Sequence, residues 1–225
     1  MTALFLIRHA ANDFIKEGKM AGWLPDVHLN DEGRQQAEQM VARMDKVVLD
    51  AIYSSPLERA VETAEYLARP RGLEVQQRKD LGEIRVGAWE GQKIEDLNKT
   101  DEWRMFQVYP SGTPLPGGET GWQMQMRVVG EIESICATHP EGTVAIVSHA
   151  DTIKAVVAHY AGIHLDLFQR LVVSPTSVTV LWIGPWGPRV VRLNDAGPLD
   201  DIKPPKPPEK SDGQEKDIQN AKPNL

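Results

Sequence analysis

Two histidines and two arginines lie close behind three short apolar runs of the sequence. Arg8 and His9 follow the first run, Arg59 lies a few residues behind the second, and His149 follows the third. Arginine presents a planar fork of donors that suits a phosphoryl group, and histidine can act as a nucleophile or as a donor. Each residue alone is more often an ordinary polar side chain. Their recurrence behind three similar runs favours one shared site for a phosphoryl group.

These side chains can meet only if the apolar runs form neighbouring strands. The runs at residues 4–7, 51–53 and 144–147 are long enough for strands buried on both faces. Helical spacing of apolar residues follows each of them, at 37–48, 57–68 and 152–161, and a further helix is expected from Thr120 to His139. This alternation predicts an α/β fold with a mostly parallel sheet, in which ligands bind beyond the carboxyl ends of the strands.

The rest of the chain predicts one domain and a tail. Residues 73–75 are expected to form a short strand, and residues 178–183 and 189–193 a terminal hairpin. Residues 81–120 show weak periodicity, and a long irregular insertion is usually functional. Residues 196–225 hold six of the 16 prolines and no aromatic residue. We therefore expect a catalytic domain over residues 1–195 and a flexible Pro-rich, charged tail over residues 196–225.

Composition excludes several classes of protein. The chain has 225 residues, a formal charge of −7 and a single cysteine, Cys136. One cysteine excludes a disulfide framework, and no apolar stretch approaches the roughly 18 residues that a membrane-spanning helix needs. Nucleic-acid binding is disfavoured because no block of basic residues is present. The sequence predicts a cytoplasmic protein that binds neither nucleic acid nor membranes, and it does not fix an oligomeric state.

Four motifs in order resemble the histidine phosphatase superfamily, which includes the cofactor-dependent phosphoglycerate mutases. They are Arg8-His9-Ala10, the segment 54–60 with Thr63-Ala64, the segments 81–83 and 87–91, and Val147-Ser148-His149. The resemblance runs from about residue 4 to residue 193. It implies a three-layer α/β/α sandwich around a mostly parallel central sheet, as in the phosphoglycerate mutases.

The resemblance also implies a role for each site residue. His9 matches the nucleophile that forms a phosphohistidine, and Glu83 matches the proton donor to the leaving oxygen. Arg8, Arg59 and His149 match the clamp around the phosphoryl group. The scheme requires no metal and no cofactor. Because one ring nitrogen of His9 must be free to attack, a backbone carbonyl is expected to accept a hydrogen bond from the other.

Two departures from the family pattern lie beside the site. The family usually has glycine directly after each catalytic histidine, whereas this chain has Ala10 and Ala150. Each alanine adds a methyl group, and its backbone must adopt a conformation that alanine tolerates. We expect a slightly narrower pocket floor and an active site that still functions.

Further departures favour a phosphatase over a mutase. Ile15 and Ala21 replace two polar residues with which mutases contact substrate, and Ile84 and Val86 replace an arginine and a tyrosine of the mutase pattern. The chain is therefore expected to hydrolyse a small phosphorylated metabolite, recognised by residues 81–118. The alternatives are phosphoglycerate mutase activity and a non-catalytic phosphate-binding module, although a binding module needs neither a nucleophile nor an acid.

Overall fold

A single six-stranded sheet organises residues 1–197, the part of the chain that the computed structural model describes. The strands are β1 (Thr2–Arg8), β2 (Ala51–Ser54), β3 (Val75–Gln77), β4 (Thr143–Ser148), β5 (Val178–Ile183) and β6 (Arg189–Asp195). They lie in the order β3-β2-β4-β1-β5-β6. Strands β1 to β4 are parallel, whereas β5 and β6 form an antiparallel hairpin beside β1. The predicted α/β fold with a mostly parallel sheet is confirmed.

Seven α-helices accompany these strands within the described residues. They are α1 (Asp13–Lys16), α2 (Asp31–Arg43), α3 (Glu58–Ala68), α4 (Ile94–Leu97), α5 (Asp101–Val108), α6 (Gly121–Thr138) and α7 (Ala150–Ala161). Short 3₁₀ helices form at Arg69–Arg71, Lys79–Leu81, Gly87–Trp89 and Leu165–Arg170. The long helices therefore fall where the apolar spacing predicts them.

Helices cover both faces of the sheet. On one face, Leu4 and Leu6 of β1 pack with apolar residues of α6 and α7, including Ile132 and Val156. On the other face, Ile7 packs with apolar residues of α2 and α3. Because both sets of alternate residues on β1 are covered, the strand is apolar throughout instead of alternating with polar residues. The expected three-layer α/β/α sandwich is confirmed.

Local signals in the sequence set the ends of the long helices. The Asn30 side chain accepts a hydrogen bond from the Gly33 amide at the start of α2, and Thr120 forms a capping box with Gln123 at the start of α6. The left-handed conformation of Gly162 ends α7. One expected boundary is wrong: α2 ends at Arg43, and Val48 lies beyond it with 83% of its surface exposed. Apolar spacing alone therefore extends this helix too far.

The structure also differs from the sequence expectations in two weakly periodic regions. Strand β3 begins two residues later than expected, at Val75. Residues 81–120 contain α4 and α5 as well as loops, and Trp89 and Phe106 from this region form a separate apolar cluster with Phe168. Helices of four and eight residues show too few turns for a clear apolar period. The cluster explains how residues 81–120 are held against the domain although they contribute no strand to the sheet.

The C-terminal hairpin is found as expected, and β6 ends at Asp195. The tail predicted for residues 196–225 lies outside the described residues from residue 198 onward, so the domain boundary stays a prediction. Within residues 1–197, none of the helices combines the length and the apolarity needed to cross a bilayer.

Candidate active site

The carboxyl ends of β1 and β4 meet at the site, because Arg8 and Ser148 are partners in the register of these two strands. A cavity of about 220 Å³ opens there. Its walls include four of the five predicted site residues, Arg8, His9, Arg59 and Glu83. His149 is not among the lining residues but lies behind His9, with its ring centroid 5.1 Å from that of His9. The five predicted site residues are therefore brought together.

His9 is held in one tautomer by its own backbone neighbour. Its Nδ1 lies 2.8 Å from the carbonyl oxygen of Ala10, which can only accept, so Nδ1 carries the hydrogen and Nε2 bears a lone pair. Burial, together with Arg59 and Arg8, lowers the pKa of His9 well below its usual value. The ring is therefore neutral near pH 7 and can act as a nucleophile. The backbone carbonyl that was expected to accept from His9 is that of Ala10.

Each arginine is anchored through one nitrogen and leaves another without a partner. Arg59 is 1% exposed and donates from Nη2 to the Gly22 carbonyl at 2.8 Å, while its buried Nη1 has no partner. Arg8 donates from Nη1 to the Val173 carbonyl at 2.7 Å, and its Nε has no partner. Burial lowers the pKa of Arg59 to about 10, which still leaves it a cation at neutral pH. Both side chains are therefore fixed in place, and each keeps an N–H group that can donate to a ligand.

His149 is fully buried and its hydrogen-bond partner indicates its tautomer. Its Nε2 lies 2.8 Å from the Ser55 hydroxyl oxygen. The same oxygen accepts from the Leu57 amide at 3.3 Å, and within the described residues the Ser55 hydroxyl contacts no acceptor other than His149 Nε2, so its hydrogen is assigned to that nitrogen. The other ring nitrogen, Nδ1, then carries a hydrogen, and it has no partner. His149 is thus a neutral donor beside His9, and burial together with Arg59 lowers its pKa well below its usual value.

Glu83 can act as a proton donor at neutral pH. Burial, with the nearby carboxylate of Asp151, raises the pKa of Glu83 to about 7. Its Oε1 accepts from the Ile84 amide at 2.9 Å and lies 3.3 Å from the Thr152 hydroxyl. A carboxyl group that is half protonated near pH 7 can deliver a proton and later take one back. This suits the role that the family resemblance implies.

The backbone of the Glu83 turn is fixed by a partly buried arginine that the sequence analysis missed. Arg127 donates to the carbonyls of Asp80, Gly82 and Glu83 at 2.7, 3.0 and 2.8 Å. Its guanidinium also pairs with Glu119, which is 7% exposed, at 2.6 Å. Neither residue follows an apolar run, so no pattern in the sequence could have placed this ion pair behind the site.

Two further lining residues were also missed, Asn12 and Asp151. Asn12 is the N-cap of α1, where its side chain accepts from the Ile15 amide at 3.0 Å, and its buried Nδ2 has no partner. Asp151 lies in the first turn of α7 and pairs with Lys154 at 3.1 Å. Asn12 stands three residues after His9 and Asp151 two residues after His149, and this proximity is the signal that could have found them.

The two alanines after the histidines have different surroundings. Ala10 is fully buried and packs with Leu29 and Ala37, whereas Ala150 lines the cavity. Neither residue has a positive φ, so alanine fits both backbones without strain. Of the two extra methyl groups, only that of Ala150 therefore narrows the cavity.

The predicted recognition region contributes little to the cavity. Of residues 81–118, only Glu83 and Ile94 line it. Most of the wall beyond the predicted site residues comes from residues 12–22. Among the described residues, no group of three or more histidine, cysteine, aspartate or glutamate side chains is arranged to hold a metal ion.

Comparison with known proteins agrees with this geometry. The family model described as histidine phosphatase superfamily (branch 1) matches residues 4–196. Phosphoserine phosphatase 1 of Hydrogenobacter thermophilus is 30% identical over 196 residues, which cover 86% of this chain and 92% of that protein. A 2,3-bisphosphoglycerate-dependent phosphoglycerate mutase of Thermoplasma acidophilum is 27% identical, over 80% of this chain and 87% of that protein. The solved structure of Bacillus stearothermophilus YhfR superposes with a TM-score of 0.82 at 31% identity, over 87% of this chain and 98% of that one.

Proposed function

The chain belongs to the histidine phosphatase superfamily, and from this premise we propose that it hydrolyses small phosphomonoesters through a phosphohistidine on His9, without a metal ion. The alternatives are mutase-type phosphoryl transfer and phosphate binding without turnover. The cytoplasmic location and the absence of nucleic-acid and membrane partners stay predictions from the sequence.

One observation carries the proposal. Four buried nitrogens in or beside the cavity have no hydrogen-bond partner: Nε of Arg8, Nδ2 of Asn12, Nη1 of Arg59 and Nδ1 of His149. A buried donor without a partner costs about 1–3 kcal/mol, and more for a charged group, so four of them in one place indicate a ligand that accepts. A phosphoryl group supplies several acceptor oxygens and the negative charge that two arginines would neutralise.

The proposed reaction has two steps. In the first, the Nε2 lone pair of His9 attacks phosphorus, the bond from phosphorus to the ester oxygen breaks, and Glu83 gives its proton to that oxygen. In the second, the Glu83 carboxylate takes a proton from water while the water oxygen attacks phosphorus, and the bond from phosphorus to Nε2 breaks. The arginines and His149 hold the transferring oxygens throughout, which stabilises their developing charge.

The cavity wall supports hydrolysis over mutase activity. Ile15 and Ala21 line the cavity and offer no hydrogen bond from their side chains to a second anionic group. Ile84 and Val86 are turned into the apolar core and lie outside the cavity lining. A bisphosphoglycerate would therefore leave its carboxylate and second phosphate poorly paired, whereas hydrolysis needs only one phosphate site and a water molecule.

Glu83→Gln tests the proposed acid and separates catalysis from binding alone. With an alkyl phosphate, single-turnover formation of the phosphoenzyme is expected to slow by roughly 10²- to 10⁴-fold, because the basic leaving oxygen needs a proton. With a nitrophenyl phosphate, formation should slow far less, since nitrophenolate leaves without help. Glu102→Gln, at an exposed position on α5, is the matched control. Equal losses on both substrates would assign Glu83 a positional role, and no phosphate release by the unmodified protein would favour the binding module.

The pKa of Glu83 also predicts a pH dependence. Because this pKa is raised to about 7, the proton needed for the first step is present below pH 7 and is lost as the pH rises above it. Phosphoenzyme formation from an alkyl phosphate should therefore fall about tenfold per pH unit above pH 7. Rapid-quench rates between pH 5 and pH 9 measure this decline. If the rate of Glu83→Gln declines in the same way, another group supplies the proton.

A further inference from the structure

The cavity is apolar beyond its phosphate end. Phe14, Ile15, Met20, Ala21 and Ile94 line this outer part, and none of them carries a charge. Ile15 leaves 36% of its surface exposed, so part of this side chain is accessible to a group bound in the cavity. The group attached to the phosphate would lie against these side chains.

The apolar wall is fixed by the backbone. The Met20 amide donates to the Gln92 carbonyl at 2.9 Å, and the Gly91 amide donates back to the Met20 carbonyl at 2.8 Å. The Ile94 amide donates to the Gly18 carbonyl, also at 2.8 Å. These three bonds join the loop after α1 to the start of α4 and the loop before it. The wall is therefore a preformed surface, which binds an apolar group at a lower entropy cost than a loose loop would.

The charged groups at this end of the cavity already have partners. Lys19 lies 2.6 Å from Glu17, and Asp151 lies 3.1 Å from Lys154. Among the described residues that line the cavity, no cation other than the two arginines at the phosphate end is left unpaired. A substrate carboxylate placed here would face apolar side chains and the carboxylate of Asp151, and it would have to compete with Glu17 for Lys19, which costs free energy.

From these observations we propose that the preferred substrates are phosphate esters of uncharged, apolar alcohols, and that the site discriminates against esters that carry a carboxylate. The inference rests on the proposed phosphatase function and adds the class of leaving group. Ile15 is the specificity-determining residue of this wall, since it lines the cavity from α1 and is the most exposed of its apolar residues.

Substrates with matched leaving groups test the proposal. Propyl phosphate and 2-carboxyethyl phosphate are both esters of primary alcohols of similar size, and benzyl phosphate adds an apolar ring. The kcat/KM for propyl and benzyl phosphate is expected to exceed that for 2-carboxyethyl phosphate by roughly 10- to 100-fold. Equal or reversed values would overturn this inference and leave the phosphatase function standing. No release of phosphate from these esters or from nitrophenyl phosphate would overturn the phosphatase function, and the inference with it.

A charge placed in the wall gives an independent test. Ile15→Arg should lower the ratio of kcat/KM between propyl and 2-carboxyethyl phosphate by about tenfold, because the new cation pairs with the carboxylate and disrupts the apolar surface. Because Ile15 is exposed on a four-residue helix, the fold should survive the substitution, and thermal unfolding checks this. Val48→Arg adds the same charge at an exposed apolar residue outside the cavity and should leave the ratio unchanged. An unchanged ratio in Ile15→Arg would overturn the role of this wall.

Discussion

His9→Ala is expected to lower turnover of any phosphomonoester by at least about 10⁴-fold, because the substitution removes the nucleophile and with it the covalent route. The acid-labile phosphate that can be trapped on the protein should disappear at the same time. The measurement is steady-state phosphate release together with acid quenching of enzyme mixed with radiolabelled substrate.

The fold should survive this change. His9 makes one side-chain hydrogen bond, to the carbonyl of the adjacent Ala10, so its loss removes no hydrogen bond between distant elements and only the edge-on ring contact with His149. Far-ultraviolet circular dichroism and thermal unfolding should therefore resemble those of the unmodified protein. His28→Ala is the control, since His28 is exposed, contacts Glu62 and lies outside the cavity. Near wild-type hydrolysis by His9→Ala would eliminate the phosphohistidine mechanism.

Arg59→Ala should have the second largest effect, a loss of about 10³- to 10⁵-fold in kcat/KM, as for other arginines that neutralise a transferring phosphoryl group. Arg59 is 1% exposed and its Nη1 has no protein partner, so its free donor acts on a group that water cannot screen. Lysine should restore activity only in part, because it supplies a point charge without the planar fork.

Arg59 also has a structural contact, which the design of the experiment must separate from catalysis. Its Nη2 holds the Gly22 carbonyl, and the side chain fills a buried position at the start of α3. Arg59→Lys keeps most of that volume and the charge, so its activity reports the bidentate role even if Arg59→Ala unfolds. Arg69→Ala, at an exposed arginine paired with Glu65, is the control. Wild-type activity in Arg59→Lys would show that the bidentate assignment is wrong.

The sequence was sufficient for the main strands, for the long helices and for the five predicted residues that meet at the site. Continuous apolar runs indicate strands covered on both faces, and the caps at Asn30 and Thr120 are local hydrogen bonds, so short-range patterns determine both. Sequence periodicity was insufficient where elements are short, as in α4 and α5. It also extended α2 to Val48, because an apolar residue at helical spacing can still lie outside the helix.

Only the tertiary structure decided which atoms face each other at the site. The carbonyl that fixes His9 is that of Ala10, the hydroxyl that orients His149 is that of Ser55, and the guanidinium behind Glu83 belongs to Arg127. The wall that faces the leaving group comes mainly from residues 12–22, and not from the irregular region in which recognition was expected. Local patterns report helix, strand and burial. The partner of a donor depends on contacts between residues far apart in the chain, such as Ser55 and His149, and these are set only when the sheet and its helices pack.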